Sequence, residues 1–512
     1  MQPNTRIAVN TAFIYCRLII VTGLSLFSTR YILLALGETD FGIYNLIAGV
    51  AGLFSFIATT MAVATQRFIS YNMGRGDMTL VKEVFYNSLV MHALVAVAVA
   101  LLVEVGGNWC IGHLLTIPEL KIPDARFVLH CVTAGLVGTI LHVPYEAVLM
   151  ANENIFFVSI VQILRFTAIF VGAVVLSAFD HGRLRIYAII MGLIPIICLG
   201  INYLYCVRHY VITHFRIHAI KSYSLIKEMG SFAGWVFIGI TCGTLRSQGT
   251  AVLLNMFFGV QINAANGVAH QVNSATQQFS ASITTAIRPQ LTKSAGCSER
   301  SRMLTLTYAA CKYPFLLVTL AAVPLMIAMP YVLQLWLKDV PEYAVIFCRL
   351  MLLATMITLI SSGLTSSIEA AGYVKWLHLT AGLMHLVALP AGYILFRLGF
   401  APQLIFWCIV AEECINGFIR VLLARRYLYI DGWFYLRHVV LCSIAVAGVV
   451  AACDYFIWQT LSPTFLHLLF FFVLHTCIFI GACALFGLNR REKELVKNMA
   501  VKMRNRLQKS LV

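Results

Sequence analysis

Residues 263–289 read NAANGVAHQVNSATQQFSASITTAIRP, a stretch that is rich in Asn, Gln, Ser and Thr and has no charged side chain before Arg288. The stretch belongs to a chain of 512 residues that is 60% hydrophobic and 11% charged. Soluble domains have about a quarter charged residues. The hydrophobic residues suffice for about 14 spans of about 20 residues each. The sequence therefore predicts an all-α polytopic membrane protein, and the polar stretch has to be explained within it.

Hydrophobic segments give fourteen candidate spans, provided that the polar segment 261–287 is one of them. The expected spans are 10–34, 41–62, 84–104, 126–150, 155–178, 185–206, 229–257, 261–287, 306–330, 342–367, 376–397, 402–424, 438–458 and 465–487. With a cytoplasmic N-terminus, this alternation leaves few basic residues outside, as the positive-inside rule requires. The outside residues are Lys121, Arg126, Arg183, Arg185, Lys338 and Arg397. Both termini are therefore expected in the cytoplasm.

The spans are predicted to form two six-helix lobes and two additional C-terminal helices. The expected parts are an N-lobe of helices 1–6 at 1–206, a cytoplasmic amphipathic linker at 207–228, a C-lobe of helices 7–12 at 229–430, helices 13 and 14 at 431–488, and a basic cytoplasmic tail at 489–512. The linker alternates apolar residues with Arg and His, which is typical of an interfacial helix. Its histidines are better explained by such a polar face than by a metal site.

The polar residues of 263–284 recur at helical spacing. Steps of three and four residues place them on one continuous stripe: Asn263, Asn266, His270, Asn273, Gln277, Ser280 and Thr284. The stripe is widened by Gln271, Ser274, Gln278 and Thr285. Unsatisfied polar groups are too costly to face lipid, so the stripe faces either water or neighbouring helices. The number of polar groups favours a water-filled cavity, and a hydrogen-bonded packing helix is the alternative.

Two arginines lie well inside predicted spans, Arg17 in span 1 and Arg246 in span 7. An arginine at mid-bilayer costs roughly 2.5–3.5 kcal/mol even on the lenient insertion scale. The acid found in the first six spans is Glu146, near a span end. We therefore interpret Arg17 and Arg246 as unpaired cations that await an anion.

Glu412 and Glu413 in span 12 are interpreted as the only deep acids of the chain. They are candidates for carrying a coupling proton or cation. The alternative is that they pair with Arg349 or Arg420, and the sequence leaves both possibilities open.

Several function classes have little support in the sequence. A nucleotide-binding G-x-x-x-x-G-K motif is absent, and the outside loops are too short to build an active site, so no enzyme and no cofactor is expected. The 15 cysteines include no C-x-x-C pair, so no metal site is expected. The net charge of +16 is spread between hydrophobic segments, which argues against nucleic acid as a partner.

Four stretches resemble the Wzx-like polysaccharide flippases of the MOP superfamily, which also contains lipid II flippases and MATE drug exporters. They are the opening helix pair at 6–56, ATQRFISYNMGRGD at 64–77, VPYEAVLMANEN at 143–154, and GTLRSQGTAVLLNMFFGVQINAANGVAHQVNSATQQF at 243–279, which is followed by IRPQLTKS at 287–294. The resemblance extends to about residue 430. It implies a V-shaped, two-lobed bundle with a central cavity.

The resemblance also implies a function. A Wzx-like flippase moves undecaprenyl-diphosphate-linked oligosaccharide across the bacterial inner membrane by alternating access, for O-antigen or capsule assembly. Membrane lipid, polysaccharide polymerase and glycosyltransferases are the partners implied. By position, Arg17 and Arg246 match the cavity arginines that engage the lipid diphosphate in related flippases. With the polar helix, they give this expected substrate-binding set: Arg17, Arg246, Gln248, Asn266, His270, Asn273 and Gln277.

Two other functions compete with the flippase. A cation-coupled MATE-like multidrug exporter has the same fold, and the lack of deep acids in the first six spans argues against it. A membrane glycosyltransferase or polymerase would need a large outside loop with acidic catalytic residues, and the predicted outside loops are short.

The predicted crossing of 261–287 is directly testable. Topology reporters fused after residue 260 and after residue 295 should give opposite signals, because the polar helix would separate them by one crossing. Fusions after residues 180 and 215, on either side of the strongly apolar sixth span, provide the reference pair. Equal signals after 260 and 295 would remove helix 8 as a span.

Overall fold

The computed structural model describes residues 3–52, 54–113, 117–214, 223–297, 299–337, 339–462, 464–488 and 492–494. Within these ranges every regular element is a helix, so the predicted all-α polytopic class is confirmed. Residues 215–222 of the predicted linker lie outside the described ranges, as does nearly all of the predicted tail at 489–512.

The described chain forms fourteen consecutive helical elements. They are α1 (Pro3–Gly52), α2 (Ser55–Gly74), α3 (Met78–His113), α4 (Ile122–Ala151), α5 (Ile155–Val175), α6 (Arg183–His209), α7 (Tyr223–Gly296), α8 (Arg300–Trp336), α9 (Ala344–Ile360), α10 (Ser362–Ala371), α11 (Val374–Arg397), α12 (Leu404–Leu428), α13 (Gly432–Thr460) and α14 (Phe465–Gly487). Short polar residues begin several of them: the side chain of Asn154 accepts from Phe157 N–H at the start of α5, and Asp431 caps α13 in the same manner.

Nine described helices are long and apolar enough to cross a membrane, and α9 with α10 makes a tenth if their 43° bend interrupts one span. The polar segment 260–296 and the charged helix α12 are not among these nine, because their composition is less apolar. Segment 260–296 is nevertheless helical and roughly 55 Å long at 1.5 Å per residue, which exceeds the bilayer core. The count of fourteen spans stays a prediction.

Helices α1 and α7 each consist of two helices joined at a single glycine. Gly37 has φ 74° and ψ 171°, and Gly259 has φ 82° and ψ −177°. This backbone region is essentially restricted to glycine, so each junction depends on having no Cβ. Gly37 separates predicted helices 1 and 2, and Gly259 separates predicted helices 7 and 8. The two junctions are therefore six helices apart.

A second backbone feature ends several helices. Left-handed residues follow α4 and α10, namely Glu153 with φ 59° and Gly372 with φ 93°. Each donates its N–H to the carbonyl three residues earlier, and the next residue donates to the carbonyl five residues before itself. This is the Schellman geometry of a helix C-terminus. The same hydrogen bonds follow α2 at Gly76 and α11 at Gly399, so the feature marks helix ends and not a repeat interval.

The chain divides into two compact units. Unit 1 comprises Met1–Thr241, Thr285–Met303 and Ser367–Gly382. Unit 2 comprises Cys242–Thr284, Leu304–Ser366 and Leu383–Val512. Each unit has an apolar core of its own; Phe85 and Leu129 are fully buried in unit 1, and Phe347 and Phe406 in unit 2. The lobe boundaries drawn from the sequence stay predictions.

In unit 2, a buried ion pair joins α13 to α14 and α8. His475 Nδ1 lies 2.6 Å from Asp454 Oδ2, and His475 Nε2 lies 2.9 Å from the carbonyl oxygen of Leu320. Asp454 and His475 are 0% and 1% exposed. Because the carbonyl accepts, Nε2 donates to it, and a second proton is shared between Nδ1 and the carboxylate. Asp454 is thus a further buried acid of unit 2, close to the end of the predicted span 438–458, and the expectation that Glu412 and Glu413 are the only deep acids stays a prediction.

Breaking this pair on one side should destabilise the protein. Asp454→Leu should cost about 3–5 kcal/mol, because it leaves the histidine buried without its acceptor, and the midpoint of thermal unfolding in detergent should fall. Asp454→Asn is the matched control, since its amide can donate to the neutral ring. Asp454→Leu combined with His475→Phe should recover most of the loss, because both polar partners are then removed. A double variant as unstable as Asp454→Leu would contradict the pairing.

Candidate functional site

The largest set of charged side chains in unit 2 is built on one face of α12. Glu412, Asn416 and Arg420 are spaced four residues apart and so share a helix face, with Glu413 beside them. All four are buried: Glu412 is 5% exposed and Glu413 is 3% exposed. Buried charges persist only when they are paired and hydrogen-bonded, so the partners of these carboxylates determine the site.

Arg246 from α7 is the main partner of both carboxylates. Its Nη1 donates to Glu412 Oε2 at 2.8 Å and to Glu413 Oε1 at 2.9 Å. The Arg246 side chain is 20% exposed. One guanidinium nitrogen thus lies between two carboxylates and holds α7 against α12 through charge-assisted hydrogen bonds.

Further groups complete the network around the carboxylates. His385 Nδ1 of α11 lies 2.5 Å from Glu412 Oε1, and Asn416 Nδ2 donates to the same oxygen at 3.1 Å. Arg420 Nη2 lies 3.8 Å from Glu413 Oε2, while its Nη1 donates to Ser361 Oγ at 2.9 Å. Glu412 therefore accepts from three side chains and has little remaining capacity.

The network lies near the middle of its helices. Arg246 is near the centre of Ser224–Gly259, His385 is near the centre of α11, and the two glutamates are in the central part of α12. Ionisable groups at this depth of a membrane protein mark ion or substrate pathways more often than structural pairs. We call these six residues the charged cluster: Arg246, His385, Glu412, Glu413, Asn416 and Arg420.

The charged cluster is formally neutral when His385 is neutral, because two arginines balance two glutamates. A proton on His385 or a bound cation would make it positive. Ligand atoms of His385, Glu412 and Glu413 lie within 4.8 Å of one another, close enough to hold a metal ion. The Arg246 guanidinium already bonds both carboxylates, so a cation and this arginine compete for the same oxygens.

The structure corrects the interpretation of Arg246 as an unpaired cation that awaits an anion. Its two partners are Glu412 and Glu413, which lie 166 and 167 residues away in the chain. Of the two alternatives for the glutamates, Arg420 lies near Glu413, whereas Arg349 Nε donates to the carbonyl oxygen of Met326. Sequence reasoning had identified Arg246, Glu412 and Glu413 as functional candidates. It had assigned Arg246 to anion binding and the two glutamates to cation coupling.

The polar stripe is also corrected in part. Asn266, Asn273 and Ser280 at its centre are buried in protein. Asn273 Oδ1 accepts from Thr355 Oγ1 at 2.7 Å, and Gln277 Nε2 donates to Thr355 Oγ1 at 3.2 Å. This part of the stripe packs on α9 through hydrogen bonds, as the alternative held.

Polar residues that widen the predicted stripe are exposed. Gln271, Ser274 and Gln278 are exposed at a spacing of three and four residues, and Gln277 of the stripe itself is exposed as well. His270 Nε2 lies 3.4 Å from Ser247 Oγ of α7, one residue from Arg246. Gln248 is exposed. The exposed polar face therefore belongs to the widened stripe that the sequence predicted.

Arg17 belongs to unit 1 and is half-buried in α1. Among the described residues it has no hydrogen bond or ion pair, and its electrostatic neighbour is Glu146 of α4. Glu146 itself lies 3.3 Å from His142 Nδ1. Within the described ranges Arg17 thus has no bonded partner, whereas Nη1 of Arg246 bonds two carboxylates.

Sequence reasoning missed His385 and Asn416 as members of the charged cluster. Asn416 had a signal, because it follows Glu412 by four residues on the same face as Arg420. His385 had a weaker signal, as a histidine in the middle of an apolar helix.

No protein-family model matches the chain, and no curated protein matches it. Solved structures do match. A multidrug resistance MATE transporter of the MOP superfamily in an outward-facing conformation aligns over 84% of this chain and 96% of that one, with TM-score 0.69 and 14% identity. A variant of the Vibrio cholerae MATE transporter VcmN aligns over 85% and 98%, with TM-score 0.68 and 18% identity. A MOP-superfamily transporter from Pyrococcus furiosus aligns over 84% and 96%, with TM-score 0.68 and 13% identity.

These matches define the class of the fold: it is that of multi-pass MATE and MOP-superfamily transporters. The resemblance noted in the sequence is confirmed to that level. The identities of 13–18% show the fold alone, so the Wzx-like subtype and the substrate are left to proposal.

The charged cluster predicts a specific pattern of stability. Arg246→Leu should lower the free energy of unfolding by about 3–5 kcal/mol, because it leaves two buried carboxylates without their shared cation. Arg246→Leu with Glu413→Gln should recover much of this loss, since one positive and one negative charge are then removed together. Thermal unfolding in detergent measures both. Arg349→Gln is the control, and a loss as large as that of Arg246→Leu would contradict the special role of Arg246.

Proposed function

We propose that this chain is a cation-coupled secondary transporter that works by alternating access. The observation that carries the proposal is the charged cluster, in which Arg246 shares a nitrogen between Glu412 and Glu413 near the middle of three helices. The fold supports it, because MATE and MOP-superfamily transporters share this architecture. Repeat-built transporters use such mid-membrane sites for substrate and coupling ions. A non-enzymatic role in a bacterial inner membrane, with both termini cytoplasmic, is part of the proposal.

Coupling would use the competition between Arg246 and a cation. When a proton binds at His385 or Glu412, or a metal cation binds between the carboxylates, the attraction of the glutamates for Arg246 weakens. Helix α7 is then less tightly held to α12, since its guanidinium loses charge-assisted partners. Loading of one cation thereby changes the relative stability of the two transport states, which is the requirement for coupling.

Export of small organic molecules is the first candidate for the transport activity. The solved MATE structures support it, and so does the pair of buried carboxylates, because a cation-coupled exporter needs deep acids. If the chain is such an exporter, its acids are Glu412 and Glu413 of unit 2. The lack of deep acids in the first six spans then no longer argues against export.

Flipping of undecaprenyl-diphosphate-linked oligosaccharide is the second candidate. Arg17 supports it, because a half-buried guanidinium with no described hydrogen bond or ion pair fits a diphosphate, which it can bind in a bidentate manner. The exposed face of Gln271, Ser274 and Gln278 offers hydrogen bonds of the kind sugars use. Polysaccharide polymerase and glycosyltransferases would then be functional partners.

Purified protein in liposomes tests both candidates together. An imposed proton or sodium gradient should drive accumulation of a lipophilic cationic dye or movement of a fluorescent polyprenyl-diphosphate oligosaccharide between leaflets. Glu412→Gln should slow the active process by about tenfold or more, since losing ~1.4 kcal/mol of transition-state stabilisation already gives a factor of ten. Arg17→Gln should slow oligosaccharide movement and leave dye accumulation unchanged.

Glu299→Gln and Arg302→Gln are the matched controls, because these residues form an exposed pair at 3.4 Å on the surface. Both should behave as the native protein. If neither substrate moves in response to either gradient, cation coupling is wrong; if Glu412→Gln transports at the native rate, the charged cluster has no coupling role.

A further inference from the structure

Unit 2 contains an apolar groove beside α12 that adjoins the charged cluster at Ser361, which lines the groove and accepts from Arg420. Its walls come from the α9–α10 bend, one face of α12 and the first turns of α13, and its volume is ≈ 690 Å³. Ligand pockets have volumes of about 300–1,000 Å³. The residues that α12 contributes share one face of the helix: Cys414, Gly417, Phe418, Val421 and Arg425.

The length of the groove matches one leaflet of a bilayer. From Cys414 near the middle of α12 to Arg425 near its end, the helix rises roughly 16 Å at 1.5 Å per residue. Half of a hydrocarbon core of ~30 Å is about 15 Å. The groove therefore extends from mid-membrane to the level of lipid head groups.

The groove is apolar and open along its length. Phe418 is 64% exposed and Trp433, at the outer end, is 69% exposed. Leu436 and Val440 line the opposite wall from a widened π-helical turn of α13 at 436–441. Such turns are uncommon and are frequently found at functional sites. A tryptophan at the outer end suits the membrane interface.

The outer end of the groove carries a free guanidinium. Arg425 lines the mouth and has no hydrogen bond or ion pair within the described ranges. Its stem lies along α13 where Gly432 leaves room, since a Cβ there would be 3.2 Å from Arg425 Cδ. Asp431 also lines the mouth, but its Oδ1 accepts from the N–H groups of Trp433 and Phe434. The Asp431 carboxylate thus caps the start of α13, and within the described ranges it forms no ion pair with Arg425.

We propose that this groove binds one anionic phospholipid, with an acyl chain along α12 and the phosphate at Arg425. An apolar channel of one leaflet's depth fits the chain, and the planar guanidinium fits a phosphate in two-point contact. The negatively charged lipid supplies the counter-charge for the Arg425 guanidinium. The site goes beyond the proposed transport activity and would hold a lipid whatever the substrate.

The experiment measures lipid retention by the full chain. Protein is reconstituted in mixed phosphatidylglycerol and phosphatidylcholine bilayers, extracted in mild detergent, and analysed by native mass spectrometry. The native protein should retain phosphatidylglycerol preferentially. Arg425→Gln should lower this retention about tenfold, because a charge-assisted hydrogen bond contributes at least the ~1.4 kcal/mol that corresponds to a factor of ten.

Two further variants make the result specific. Arg426→Gln is the matched control, since this neighbouring arginine contacts Tyr427 and does not line the groove; it should retain phosphatidylglycerol as the native protein does. Gly417→Leu should reduce retention while Arg425 is intact, because Gly417 lines the groove and a Cβ there would meet only Ser361 Oγ, at 3.8 Å, so the backbone accepts the new side chain. Equal loss in both arginine variants would overturn the site. A change in oligomeric state on Gly417→Leu with unchanged lipid would show that a second copy covers the groove.

Discussion

The contact of Arg246 with Glu412 and Glu413 is the constraint on which unit 2 depends. Removing each of these charges from water costs several kcal/mol, and that cost is offset only when the partners meet with good geometry. The requirement fixes the register of α7 against α12, and His385 fixes α11 through the same Glu412. Helix α12 carries these charges along one face, yet Glu412 accepts from Arg246 of α7 and from His385 of α11. A polar helix is acceptable within such a bundle for this reason.

The backbone provides the frame within which that contact forms. Gly37 and Gly259 each allow one continuous stretch to form two helices, and the turns at Glu153 and Gly372 end α4 and α10 with identical hydrogen bonds. These features depend on backbone geometry and not on side-chain identity. The two units differ in their arginines: within the described ranges Arg17 of unit 1 has no bonded partner, whereas Arg246 of unit 2 bonds two carboxylates.

The sequence predicted what depends on local pattern. Apolar segment length gave the helices, and the rarity of charge in them identified Arg17, Arg246, Glu412 and Glu413. Partners could not be predicted, because the two ends of the Arg246 pairs lie 166 and 167 residues apart. The environment of the polar stripe could be predicted only in part, for a related reason. Periodicity defines a helix face, but whether Thr355 or water covers that face depends on a helix far along the chain. Asp454 was missed because its partner, His475, also lies on another helix.

The charge count of the cluster limits how it can act. Two arginines and two glutamates sum to zero, so any added cation leaves an excess positive charge in a site where Glu412 and Glu413 are 5% and 3% exposed. Such an excess is costly in a low-dielectric interior, and the nearest relief is for Arg246, the more exposed member at 20%, to withdraw from the carboxylates. Under the proposed coupling, cation binding therefore weakens the α7–α12 contact. A single cation would then change which arrangement of these charges is favoured.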